Sequence, residues 1–230
     1  AGFSIDAGAP KGKELCDTIY QALPDRIKKA ENIQTEYTLQ NLSEIYELHN
    51  GRDALIDLLQ KSFAFTPKDV SDQKQLVSIP QFKHIITTNY DSLIEDAYEN
   101  NCNVVTRNSN LSKIDPNKPT IYKIHGDFSC PNNIVITKTD YNRLYEKQQE
   151  KLIWDSIRVE ISRHNILFIG YSISDQNIQM LLDSFVNAMT AAIDSRTPFN
   201  AKHTKNVSIL CEEFIDFLNA LMMAAPEVAN

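Results

Sequence analysis

Positive charge is in short supply in this sequence. Its 23 lysines and arginines stand against 30 aspartates and glutamates, a formal net charge of −7. A nucleic-acid surface needs basic side chains to replace the counterions on phosphate, so no direct nucleic-acid binding is expected of this domain. Long apolar runs are missing as well; none reaches the ~20 residues that a helix needs to cross a bilayer. The four cysteines, Cys16, Cys102, Cys130 and Cys211, are scattered without a C-x-x-C pair. That spacing encodes no zinc knuckle and suits reduced thiols in a cytoplasmic protein. Two catalytic signatures are also lacking. Without G-x-x-x-x-G-K-[ST] a phosphoryl-transfer loop has no support, and without G-x-S-x-G neither has a Ser-His-Asp hydrolase.

What the chain does have is 230 residues, 42% of them hydrophobic, enough for one substantial domain. Apolar residues at helical spacing (Leu15, Ile19, Ala22, Leu23) predict a helix over 12–23 that Pro24 interrupts. Residues 25–80 read as polar and helical, with a break at Asn50-Gly51. They form either a small helical insertion or ordinary helices covering a sheet. Short β-branched runs then predict strands at 84–88, 102–105, 120–124 and 165–169, a short one at 133–137 and a last one at 205–210. Helices are expected between them at 91–100, 140–163 and 175–190, with an amphipathic one at 212–223. Strands alternating with helices make this an α/β domain, with a mainly parallel sheet flanked by helices. The abrupt start at Ala1 reads as a domain cut from a longer protein.

Four short polar motifs fall where parallel strands should end, and ligands of open α/β sheets bind beyond those ends. The first is Ala1-Gly2-Phe3-Ser4 with Asp6 and Gly8. Its glycines allow backbone close to a ligand, and a turn leading into a helix can hold a pyrophosphate on its N–H groups; a tight turn that binds nothing is the alternative. In the second, Thr88-Asn89-Tyr90-Asp91, Asn89 can both donate to and accept from a ribose hydroxyl or a water. Asp91 can do the same or cap the following helix. The third places His125 before Gly126, as a general base, a ribose partner or a structural histidine. No other metal-binding side chain sits at ligand spacing from it, so no metal is expected. In the fourth, Gly170-Tyr171-Ser172 with Asp175, Gly170 permits close approach and Ser172 and Asp175 offer hydroxyl and carboxylate.

In this order the motifs resemble those of the sirtuin superfamily, and more closely its bacterial defence-associated sirtuin-like NADase branch. Residues 1–10 are similar to the family's G-A-G-x-S…G-x-P loop, Thr88-Asn89-Tyr90-Asp91 to its Q-N-I-D motif in the T-N-Y-D form, and His125-Gly126 to its catalytic H-G pair. Gly170-Tyr171-Ser172 stands in the place of its G-T-S motif. The resemblance implies a Rossmann-like fold and NAD as substrate, cleaved to nicotinamide and ADP-ribose. Asn89, His125 and Asp91 would be catalytic. Ala1, Gly2, Phe3, Ser4, Asp6, Thr88, Tyr90, Gly170, Tyr171, Ser172 and Asp175 would line the cofactor. The four-cysteine zinc module of deacylating sirtuins has no counterpart here, which favours water over acetyl-lysine as acceptor. NAD-dependent deacylation or ADP-ribosyl transfer, and a non-catalytic NAD or ADP-ribose signalling module, are the alternatives. The branch further implies a homo-oligomer, or a sensor partner that triggers NAD depletion in anti-phage defence.

Overall fold

The computed structural model describes residues 2–29, 33, 36–107, 109–143, 148–164 and 167–170. By contacts the chain divides into two units, one running from Phe3 to Glu160 and the other taking Gly2 with the residues from Ile161 onward.

The first unit opens with a 3-10 turn at Gly2–Ser4, whose latter two residues it holds, and then builds a helical layer. Helix α1 (Gly12–Ala22) has its first turn fastened by Glu14, whose Oε2 accepts from the Lys11 N–H at 2.9 Å. It ends where Pro24 makes a helical continuation unfavourable. A short α2 (Asp25–Lys28) follows, then α3 (Leu39–Asn50), started by Thr38, whose side chain accepts from the Asn41 N–H. The expected break at Asn50-Gly51 is real. Gly51 takes a φ of +86°, closes α3 through its N–H to the Glu47 carbonyl, and leads into α4 (Arg52–Ser62). A further helix, α5 (Ser71–Val77), completes the stretch.

These helices do not make a core of their own. Leu15, Cys16, Ile19 and Leu23 meet Ile33, Leu42, Leu55, Ile56 and Leu59, and the cluster is completed by Tyr90, Ile134 and Ile136 from beyond two of the sheet strands. Leu42, Leu55 and Leu59 are wholly buried. Each such side chain contributes ~1.5–3 kcal/mol relative to exposure.

Among the described residues the sheet has three strands, β1 (His84–Thr87), β2 (Asn103–Val105) and β3 (Thr120–Lys123). The order is β1-β3-β2 and both pairings are parallel. β3 is therefore central, and all four of its residues are buried. Its register sets His84 beside Thr120 and Thr87 beside Lys123, so β1 and β3 finish level with each other. The helix after β1, α6 (Leu93–Ala97), is shorter than expected because Glu99 and Asn100 turn left-handed, at φ of 53° and 59°. Of the 140–163 stretch the described residues form α7 (Lys138–Arg143) and α8 (Gln148–Arg163), and 144–147 lie outside them.

Two strand expectations come out differently. Residues 134–136 are assigned to no strand and Thr137 is a bend; they follow a 3-10 turn at Pro131–Asn133, and the Val135 N–H bonds to the His125 carbonyl instead. Of the expected strand at 165–169, residues 167–169 are assigned to no strand, and 165 and 166 lie outside the described residues. The elements expected at 175–190, 205–210 and 212–223 also lie outside them.

Candidate active site

Because β1 and β3 are neighbours ending in register, the loops that follow them emerge side by side. The Asn89 N–H is held by Thr87 Oγ1 at 3.1 Å, a local bond that folds the T-N-Y-D segment back over the end of β1. The Asn89 amide then donates from Nδ2 to Ser4 Oγ at 2.8 Å. Ser4 is 2% exposed and Asn89 half-buried, so the first two motifs join in a sheltered polar contact. Phe3 contributes its carbonyl, which accepts from Gln73 Nε2 at 2.6 Å. The opposite end of that buried amide, Gln73 Oε1, has no hydrogen-bond partner. Gly8 takes a φ of +103°, as the turn into α1 requires. Asp6 is exposed and Thr88 half-buried.

The other two members of the second motif face different ways. Asp91 Oδ1 accepts from the Leu93 N–H at 3.2 Å, so the carboxylate braces the approach to α6, while the N-cap position itself is Ser92. Tyr90 sits in the core: its hydroxyl donates to the Val135 carbonyl at 2.7 Å and its ring meets Phe63 edge-on at 5.7 Å. The tyrosine expected at the cofactor thus has its side chain turned to the helical layer.

In the third motif His125 lies just past β3, 3% exposed, with its ring edge-to-face on Tyr141 of α7 at 5.3 Å. Gly126 makes the turn with a φ of +76°, and a Cβ there would stand 2.6 Å from the Asn133 carbonyl oxygen. Only glycine satisfies both the dihedral and the close approach.

Sequence reasoning assigned no role to Lys123. It is 2% exposed, and its ammonium reaches the Asp91 carbonyl at 2.6 Å, Glu95 Oε1 at 2.7 Å and the Tyr90 carbonyl at 3.4 Å, with Asp127 Oδ2 at 3.9 Å. Glu95 is itself 6% exposed, so this is a buried ion pair; losing one partner of such a pair costs about 3–5 kcal/mol. The signal was present: a lysine inside the apolar strand Thr120-Ile121-Tyr122-Lys123 needs a buried acceptor.

In the second unit, Gly2 and Gly170 lie against each other. A Cβ on Gly2 would collide with the Gly170 carbonyl oxygen, and Gly170 itself has a φ of +57°. Ala1, Tyr171, Ser172 and Asp175 lie outside the described residues.

A separate polar cavity of about 210 Å³ is lined by Glu47, Arg52, Arg107, Asn132, Asp140 and Arg143. Arg52 ties it together, bonding Glu47 at 2.9 Å, Asp140 at 2.8 Å and the Ile134 carbonyl. Burial opposes ionisation of Asp140, but the Arg52 guanidinium and the Thr137 and Ile136 N–H groups outweigh it and hold the carboxyl below its usual range.

The arrangement sets an amide and a hydroxyl past the end of β1 and an imidazole past the end of β3, and the order of these motifs along the chain matches a known family. Residues 83–207, more than half of the chain, match the SIR2-like domain. The chain is a member of the SIR2-like domain family. This SIR2-like domain is 32% identical over 189 residues to the NAD(+) hydrolase ThsA of Enterococcus faecium, which covers 79% of this chain and 38% of that protein. It is 30% identical over 190 residues to Defense-associated sirtuin 2 of Bacillus subtilis, covering 80% of this chain and 18% of that protein. A third relative, the NAD(+) hydrolase ThsA of Acinetobacter baumannii (strain 532279), is 28% identical over 187 residues. The SIR2-like domain thus spans about two fifths or less of the curated relatives it matches. Its parallel sheet flanked by helices is the Rossmann-like fold of the family. No helix among its described residues is long and apolar enough to cross a membrane.

Proposed function

We propose that this domain hydrolyses NAD at the bond between nicotinamide and ribose. The observation that carries the reading is the Asn89-to-Ser4 hydrogen bond at the end of β1, on the loop beside the His125 turn. It supports the reading by pairing a donor-acceptor side chain with a hydroxyl beyond the end of β1, and open α/β sheets bind their ligands beyond strand ends. Two relatives named NAD(+) hydrolase support the same chemistry.

In the proposed reaction, a water oxygen attacks C1′ of the nicotinamide ribose while the C1′–N bond breaks. Its electron pair leaves with nicotinamide, and the water loses its proton to His125. The products are nicotinamide and ADP-ribose. Positive charge develops on the ribose ring, so Asn89 acts by fixing a ribose hydroxyl or the water against that ring, and Asp91 by bracing the loop. The backbone of residues 2–4 and the Ser4 hydroxyl would line the pyrophosphate and nicotinamide side, with Asp6 and Thr88 at its margins. Gly170, Ser172 and their neighbours would take the adenosine side. No step calls for a metal.

Asn89→Ala and His125→Ala are expected to lower NAD turnover by about 10²-fold or more, the loss typical of a removed acid–base or positioning group. Nicotinamide release by the full-length protein, with circular dichroism to confirm the fold, is the measurement. Parent-like turnover in both variants defeats the assignment. Turnover that appears only with an acylated peptide would instead favour the deacylase reading.

The domain is further proposed to act in the cytoplasm as part of an oligomer in anti-phage defence. The name of one relative, Defense-associated sirtuin 2, supports the defence part of this reading.

A further inference from the structure

We infer that Lys123 is a positioning residue for the reaction: its ammonium holds the main chain of the Asn89 loop in register with the His125 loop. β1 and β3 stop pairing at Thr87 and Lys123. Beyond that point, one backbone bond among those of the described residues crosses directly between the two loops, from the Ile124 N–H to the Thr87 carbonyl. The Tyr90 hydroxyl fixes a side chain through Val135. Lys123 acts on the main chain, through the Tyr90 and Asp91 carbonyls.

The donor geometry argues for this role over simple charge burial. Glu95 alone would neutralise the ammonium. Yet its shortest bond goes to the Asp91 carbonyl, and the Tyr90 carbonyl is a further acceptor. These are the two peptide groups immediately after Asn89, and Lys123 is two residues before His125 in the chain. One rigid, 2% exposed cation therefore joins both halves of the proposed machinery. A hydrophobic residue of similar volume would fill the same space without the desolvation cost, so packing by itself does not call for lysine here.

The test compares the parent with Glu95→Gln, which leaves Lys123 on both carbonyls, and with the double variant Lys123→Met/Glu95→Gln, which removes both charges together. Two readouts are taken on the full chain. The first is amide hydrogen exchange at residues 88–92 against residues 39–62 of the helical core. The second is kcat and KM for NAD, and it alone rests on the NAD reading. In the double variant, exchange at 88–92 is expected to speed up while 39–62 stays as in the parent. Its kcat should fall by about 10²-fold, the effect of a displacement near 1 Å, with KM held. Glu95→Gln strands a buried ammonium, so its lost stability should show as faster exchange in both regions alike, while kcat stays close to the parent's. The inference is overturned if the double variant keeps parental exchange at 88–92, if exchange in the double variant rises equally across both regions, or if Glu95→Gln loses as much kcat as the double variant. A parent that binds no NAD and turns none over, but whose loop still loosens as described, would sink the NAD reading and leave the anchor standing.

Discussion

Gly126 shows how a single residue sets the turn after β3. Its φ of +76° already disfavours any side chain, and the Asn133 carbonyl would lie 2.6 Å from a Cβ. Gly126→Ala is therefore expected to destabilise the chain by more than the ~1 kcal/mol of a plain left-handed penalty, because backbone must also move. A urea melt with an unchanged slope and a lower midpoint is the expected record; a midpoint equal to the parent's would show that the 133–134 segment yields freely. At this scale the positions of Asn89 past β1 and His125 past β3 were legible from polar side chains at the ends of apolar strands, whereas the bond that joins Asn89 to Ser4, 85 positions away, was not. Tyr90 was not: a motif read as a unit hides the fact that adjacent side chains point to opposite sides, and its ring belongs to Phe63 and the helices. Lys123 escaped assignment because its ion-pair partner, Glu95, lies 28 positions away and no local rule links them.

At the scale of elements, α7 depends on a reciprocal cap. Thr137 Oγ1 accepts from the Asp140 N–H at 3.0 Å, and Asp140 Oδ2 accepts from the Thr137 N–H at 3.1 Å. The same carboxylate receives Arg52, so one group starts the helix and fastens it to α4. Its folded-state pKa lies below the usual 3.8, hence its stabilisation is complete above that value and is lost as pH falls through the depressed one. Asp140→Asn should cost about 1.5–3 kcal/mol at neutral pH, the range for hydrogen bonds to a charged group. The gap from the parent should narrow below about pH 4. Thermal melts at pH 7 and pH 3 measure it, and an equal gap at both would assign the effect to lost packing. The ends of β1 and β3 and the α3–α4 break were legible from β-branched runs and from Asn50-Gly51. The segment 134–137 looked like a strand because Ile134, Val135 and Ile136 are apolar. Hydrophobicity reports burial, whereas a ladder needs a free strand edge, and this segment bonds to the His125 carbonyl and to Arg52 instead.

On the scale of the whole molecule, the α/β class and parallel sheet followed from alternating patterns, while the insertion of β3 between β1 and β2 did not. Strand order is fixed by long-range packing that no local window contains. The shared core has a consequence for the order in which the chain is made. The helices of residues 12–62 close their apolar cluster only with Tyr90, Ile134 and Ile136, and β1 acquires its neighbour only with residues 120–123. A nascent chain therefore leaves Leu42, Leu55 and Leu59 incompletely covered until Ile136 has emerged from the ribosome, an interval in which a chaperone can bind them.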